Sequence, residues 1–150
     1  MPEGSLKQLK KYLKKHDIVG PLINQIKFPK NSNNKLLVDF DSFQTFIEDF
    51  NYYIYNKNYN QVESVDMVYG HCMLMKRELL ERIGKLDEIY GLGNYEDMDF
   101  CRRAIESGMK VGLAKDAFVY HFCHATFNSI GIDVEKLLNI NKENYRNKWE

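Results

Sequence analysis

An α/β fold is what the sequence predicts: one domain over residues 1–150, with a short mixed sheet flanked by helices. Three observations carry this. Short runs rich in Val, Ile, Leu and Met alternate with stretches of helical periodicity. Glycines stand just past two of the helical patterns, Gly84 and Gly108, where helices commonly stop. The chain has 150 residues and 44% hydrophobic content, which suits one packed core and argues against wholesale disorder.

Leu6 to His16 reads as a helix, because Leu6, Leu9 and Leu13 recur at helical spacing between lysines. Ile18 to Ile23 is an apolar run broken by Gly20-Pro21, a strand ending in a turn. Lys30 to Lys35, with Asn31, Ser32, Asn33 and Asn34, reads as an exposed loop. Phe40 to Tyr55 is helix-like, with Phe43, Phe46, Ile47, Phe50 and Ile54 on one face, and Asn56 to Asn60 is a second polar loop. Val65 to Met75 is the best strand candidate, with Gly70 inside it as a bulge or close backbone approach.

The remainder alternates more regularly. Lys76 to Ile83 is a helix stopped by Gly84, and Leu86 to Asn94 is a glycine-bearing loop. Tyr95 to Ser107 is a helix stopped by Gly108. Val111 to Ala114 and Phe118 to Phe122 are two short strands. Val134 to Trp149 is an amphipathic helix with Val134, Leu137, Leu138, Tyr145 and Trp149 on one side. No internal repeat is present.

Charge excludes some functions. Lys plus Arg and Asp plus Glu are each 21, so no global field favours nucleic acid or anionic lipid. The segment from Lys7 to Lys15 is locally basic. Cys72, Cys101 and Cys123 lack the spacing of a disulfide framework or zinc site and fit buried thiols in a reducing compartment. No signal peptide is recognisable, and no apolar run approaches the ~18 residues of a transmembrane span. A cytoplasmic protein is expected.

Three clusters could carry chemistry. Asn94-Tyr95-Glu96-Asp97-Met98-Asp99 places carboxylates at a helix start, where the dipole and free amides favour ionised groups. A fixed, deprotonated Asp is what a general base requires, although acidic first turns also serve helix stability alone. His121 and His124 follow a strand; imidazole is a common ligand for divalent metals, and a packed or solvent-facing histidine is the plainer alternative. Gly70-His71-Cys72 could line a pocket, or be a simple bulge beside a satisfied histidine.

The order and spacing of these clusters carry more than any one of them. The run Gly70-His71-Cys72-Met73-Leu74-Met75-Lys76-Arg77 is followed by Ile83-Gly84-Lys85-Leu86-Asp87-Glu88 and by Glu96-Asp97-Met98-Asp99-Phe100-Cys101-Arg102-Arg103. Gly108, Lys115-Asp116-Ala117-Phe118-Val119-Tyr120-His121 and the closing Asn144-Tyr145-Arg146-Asn147-Lys148-Trp149 complete the series. Together they resemble the C-terminal half of family-2 glycosyltransferases, inverting enzymes of the GT-A fold. His16-Asp17-Ile18-Val19-Gly20-Pro21 looks like the strand that follows the donor-metal motif there. The resemblance is sharp from Val65 to His121 and loose from Lys27 to Glu63.

This resemblance implies transfer of a sugar from a nucleotide-sugar to a glycan or other hydroxyl acceptor, with inversion at the anomeric carbon. It implies Asp97 as base with Glu96 as its partner, Gly70, His71, Asn94 and Tyr95 at the acceptor, and His121 near a divalent cation (Mn or Mg). His124 falls outside the match. Glu96 and Asp99 point away from Asp97 on a helix and suit capping and packing. Gly91 and Gly93 suggest a loop free to close over the acceptor.

One departure is large. The nucleotide-binding strands and the Asp-x-Asp motif of the family are not recognisable here. Asp39-Phe40-Asp41 has the letters but follows the Gly20-Pro21 strand and suits a helix cap. The expectation is therefore an acceptor-side portion that lacks roughly a hundred residues of βαβ structure. Such a portion would bind no nucleotide-sugar or metal tightly by itself. An uncovered sheet edge and helix face would favour a homo-oligomer. A non-catalytic, self-associating module and a small metal-binding domain using His121 and His124 are the alternatives.

Overall fold

The computed structural model describes residues 4–23, 43–122 and 125–150. Helix α1 (Ser5–Tyr12) leads into strand β1 (Ile18–Ile23), and helix α2 (Phe43–Lys57) into the short strands β2 (Val62–Ser64) and β3 (Leu74–Met75). Helix α3 (Arg77–Ile83), a 3-10 turn at Glu88–Tyr90 and helix α4 (Glu96–Glu106) precede strand β4 (Val111–Val119). Helices α5 (Ala125–Ser129) and α6 (Val134–Trp149) complete the chain. Among the described residues the sheet has four strands in the order β2-β4-β1-β3; β1 and β4 are parallel, and the outer pairs are antiparallel. The expected short mixed sheet flanked by helices is present. No helix among the described residues is long and apolar enough to cross a membrane.

The central pair is buried on both faces, which is why β1 reads as a continuous apolar run. Successive side chains of a strand point to opposite sides. Ile18 joins Val111, Leu79, Phe100, Cys101 and Ala104 in a core toward α3 and α4. Val19 joins Ala114, Ala117, Leu9 and Tyr12 in a second core beneath α1. Leu6, expected on the apolar face of α1, is 42% exposed instead. Phe50 of α2 meets Phe118 edge to face at 4.8 Å. Burial pushes the Cys101 thiol up to about 11, as expected of an unreactive core cysteine.

Several strand readings are corrected. Gly20-Pro21 does not break β1, which runs on to Ile23. The irregularity lies across the ladder: Pro21 pairs with Ala114, but Leu22 pairs with Phe118. Lys115, Asp116 and Ala117 are the excess, which is why one strand, β4, reads as two. Proline has no N–H for the ladder and sits where the ladder shifts. Asp116 turns inward there, accepting the Tyr12 hydroxyl at 2.7 Å and the Asn60 N–H at 3.0 Å. His121 lies just beyond the end of β4, not within a strand.

Val65 to Met75 is not one strand. The Val65 N–H extends the ladder to the Val111 carbonyl, and pairing resumes only at Leu74. Between them the chain crosses the face of the sheet with Val68 buried against Gly20. Gly20 permits that crossing, because a Cβ on it would stand 2.6 Å from the Val68 Cβ. Gly70 is therefore part of a turn, not a bulge in a strand. Gly84 and Gly108 stop their helices with φ of 79° and 78°, as expected. Asp39, Asp41, the 30–35 loop, Cys123, His124 and the Phe43 and Phe46 side chains lie outside the description.

Candidate functional site

The carboxyl ends of the parallel pair β1 and β4 open on a cavity of about 600 Å³. Ligands in open α/β sheets bind outside these strand ends. Ile23, the last residue of β1, and His121, just past β4, line it on one side. The turn at Gly70-His71 and the first turn of α4 line the other. The seven residues that the resemblance implies for the base, the acceptor and the cation, Gly70, His71, Asn94, Tyr95, Glu96, Asp97 and His121, all line it.

Asp97 is held at both oxygens. Its Oδ2 accepts the Gly70 N–H at 2.9 Å, and its Oδ1 accepts the N–H of Met98 at 2.8 Å. A carboxylate oxygen has two lone pairs, so each keeps acceptor capacity for a ligand hydroxyl. Glu96 beside it is half-buried; its Oε2 is shut off from solvent without a hydrogen-bond partner among the described residues. Burial, with Asp97 adding to it, lifts the Glu96 carboxyl above its ordinary range.

His71 and His121 stack with ring centroids 4.5 Å apart and planes 16° from parallel. Burial draws the His71 pKa below that of a free imidazole; His121 adds to this and Asp97 opposes it. His71 is thus neutral near pH 7. Both its ring nitrogens, like Asn94 Nδ2, lack a hydrogen-bond partner among the described residues. Such buried orphans are uncommon and mark places where a ligand or water is expected.

The helix start is held by strained backbone. Asn94 and Tyr95 have φ of 69° and 73°. Asn tolerates this left-handed region; Tyr there is a costly outlier of the kind found at binding sites. Asn141 of α6 sustains it. Buried to 1% exposure, its Nδ2 donates to the carbonyls of Tyr90 and Gly93 at 2.7 Å and of Asn94 at 3.1 Å. The loop expected to close freely is thus tied down by α6. Sequence reasoning missed Asn141. The signal was a polar residue four positions after Leu137 and four before Tyr145, inside the apolar stripe of the helix. Phe127 of α5 and Leu138 of α6, also cavity residues, were missed with the α5 helix itself.

Asp99 takes no part in the cavity. It is fully buried and accepts Arg103 Nε, Lys148 Nζ and Trp149 Nε1, each at 2.8 Å. It therefore packs α6 onto α4, as expected of a structural carboxylate. The closing Lys148-Trp149 pair serves the same anchor.

Among the described residues, no group of three or more His, Cys, Asp or Glu side chains is placed to hold a metal ion. A cation at His121 would take its other ligands from elsewhere. Compared with known proteins, the chain matches no family model, and no curated protein or solved structure is similar to it.

Proposed function

We propose that this chain forms the acceptor side of a GT-A-like, family-2 inverting glycosyltransferase. The observation that supports the reading is convergence. The Gly70-His71 turn, the Glu96-Asp97 helix start and His121, far apart in sequence, border one cavity at the carboxyl end of the parallel strands.

In this reading the acceptor hydroxyl lies in the cavity against Asp97. As its oxygen attacks the anomeric carbon of the donor sugar, the proton passes to the Asp97 carboxylate. The bond from that carbon to the diphosphate breaks, and the nucleoside diphosphate leaves with the electron pair. Attack opposite the leaving group inverts the centre. The backbone donors on Asp97 fix the base in place, and Asn94, Tyr95 and His71 shape the acceptor's seat. The described residues do not by themselves make a site for the Mn or Mg ion that the resemblance implies, so the acceptor-side chemistry is assigned to Asp97 alone.

Calorimetry with UDP- and GDP-sugars in the presence of Mn tests this division of labour. The 150-residue chain binds them more weakly than about 1 mM, equivalent to about −4 kcal/mol. Tighter binding would put a nucleotide site in this chain and overturn the assignment to the acceptor side.

A further inference from the structure

We infer that the acceptor is a saccharide without negative charge that lays an apolar face or aglycone against the mouth of the cavity. The inference rests on the acceptor reading above and narrows it to a substrate class.

Charge sets the first half. Glu96 and Asp97 are the acidic lining residues, and no Lys or Arg is among the described lining residues. A uronate or sugar phosphate entering here meets two carboxylates, with no Lys or Arg among the described lining residues to offset them, in a partly desolvated site where like charges repel strongly. The neutral His71 offers one donor and one acceptor, Asn94 an amide donor and Glu96 a carboxyl oxygen. Hydroxyl groups, which both donate and accept, suit this mixture; an acceptor-only anion does not.

The mouth sets the second half. Leu92, Phe122 and Leu138 border the cavity while 64%, 52% and 36% exposed. They belong to three separate segments, so the apolar rim is assembled by the fold. A sugar's C–H face or an aryl or alkyl aglycone covers such a rim and removes apolar surface from water.

The test follows the His71 and His121 ring protons by NMR while phenyl β-glucoside, methyl β-glucoside and methyl β-glucuronide are titrated into the chain. Expected is tightest binding by the phenyl glucoside, with the glucuronide about tenfold or more weaker than the methyl glucoside. Glu96→Gln narrows that gap by admitting the glucuronide; where that variant misfolds, Asp97→Asn serves in its place. A glucuronide that binds as well as the glucosides to the wild-type protein overturns the inference and leaves the acceptor reading standing. If none of the three shifts either histidine, both are overturned.

Discussion

The backbone N–H of Gly70 donates to Asp97 Oδ2 at 2.9 Å, across 27 positions of sequence. This bond fastens the turn after Val68 to the first turn of α4, two segments that line the cavity. The space is tight. A Cβ on Gly70 would lie 3.3 Å from both Asp97 Cβ and Glu96 Oε1.

Gly70→Ala therefore tests this contact. The added methyl pushes on both carboxylates, at a stability cost of about 1 kcal/mol, the low end for added methyl groups in packed sites. Saccharide binding falls further, by tenfold or more, because Asp97 and Glu96 move together. Urea unfolding and the NMR titration measure the two effects. Unchanged binding with unchanged stability would show that the contact does not shape the site.

The anchor at Asp99 carries a pH prediction. Burial raises its pKa, but hydrogen bonds from Lys148, Arg103 and Trp149 outweigh that and hold the carboxyl below the ordinary range. The unfolded chain then binds the extra proton, so this stability is present above about pH 4 and is lost as pH falls through the lower folded value. Asp17 and Asp87, lowered by Lys76 and Lys148, slope the same way. Asp99→Ala leaves Arg103 and Lys148 short of a partner and costs about 3–5 kcal/mol at pH 7, the range for breaking a buried ion pair. It also flattens the acid limb of the stability curve, seen by urea titrations at several pH values. A loss under about 1 kcal/mol would mean that α6 is held by other contacts.

His71 should titrate below the ordinary histidine value of about 6.5. Burial is the larger cause and the stacked His121 the smaller, so His121→Asn raises the pKa only part of the way. Because the folded value is depressed, the stability tied to a neutral His71 is present above about pH 6.5 and declines as pH falls below it. Ring-proton titration in wild type and variant reads this directly. A His71 pKa at or above 6.5 contradicts its burial, and one indifferent to His121 contradicts the stacked arrangement.

Much of this was legible in the sequence where the signal is local. The helix from Glu96 and its stop before Gly108 follow from acidic first-turn residues, periodicity and one glycine. Helix α6 was read to its residue bounds. What failed depended on distant partners. Val65 to Met75 has strand composition, but the Gly70 N–H goes to a carboxylate on α4 instead of a neighbouring strand. Lys115-Asp116-Ala117 looks like a gap between strands because the register shift opposite Pro21 is invisible without β1 beside it. The role of Asn141 needs three carbonyls from a loop some fifty residues earlier. The resemblance put Gly70, Glu96, Asp97 and His121 in order along the chain; that they border one cavity was beyond any local pattern.

Turnover of Asp97→Asn tests the proposal that Asp97 takes the proton of an acceptor hydroxyl. The complete enzyme that the proposed function calls for is supplied with nucleotide-sugar donors, Mn and a neutral glycoside. Release of nucleoside diphosphate then measures transfer. A loss of ~10² or more is expected for Asp97→Asn, the lower bound for removing a general base, with the fold intact by circular dichroism. Near-normal turnover in Asp97→Asn, while Glu96→Gln abolishes it, would contradict the assignment of the base. Equal turnover in both variants and the wild type would reduce the acidic cluster to a helix start.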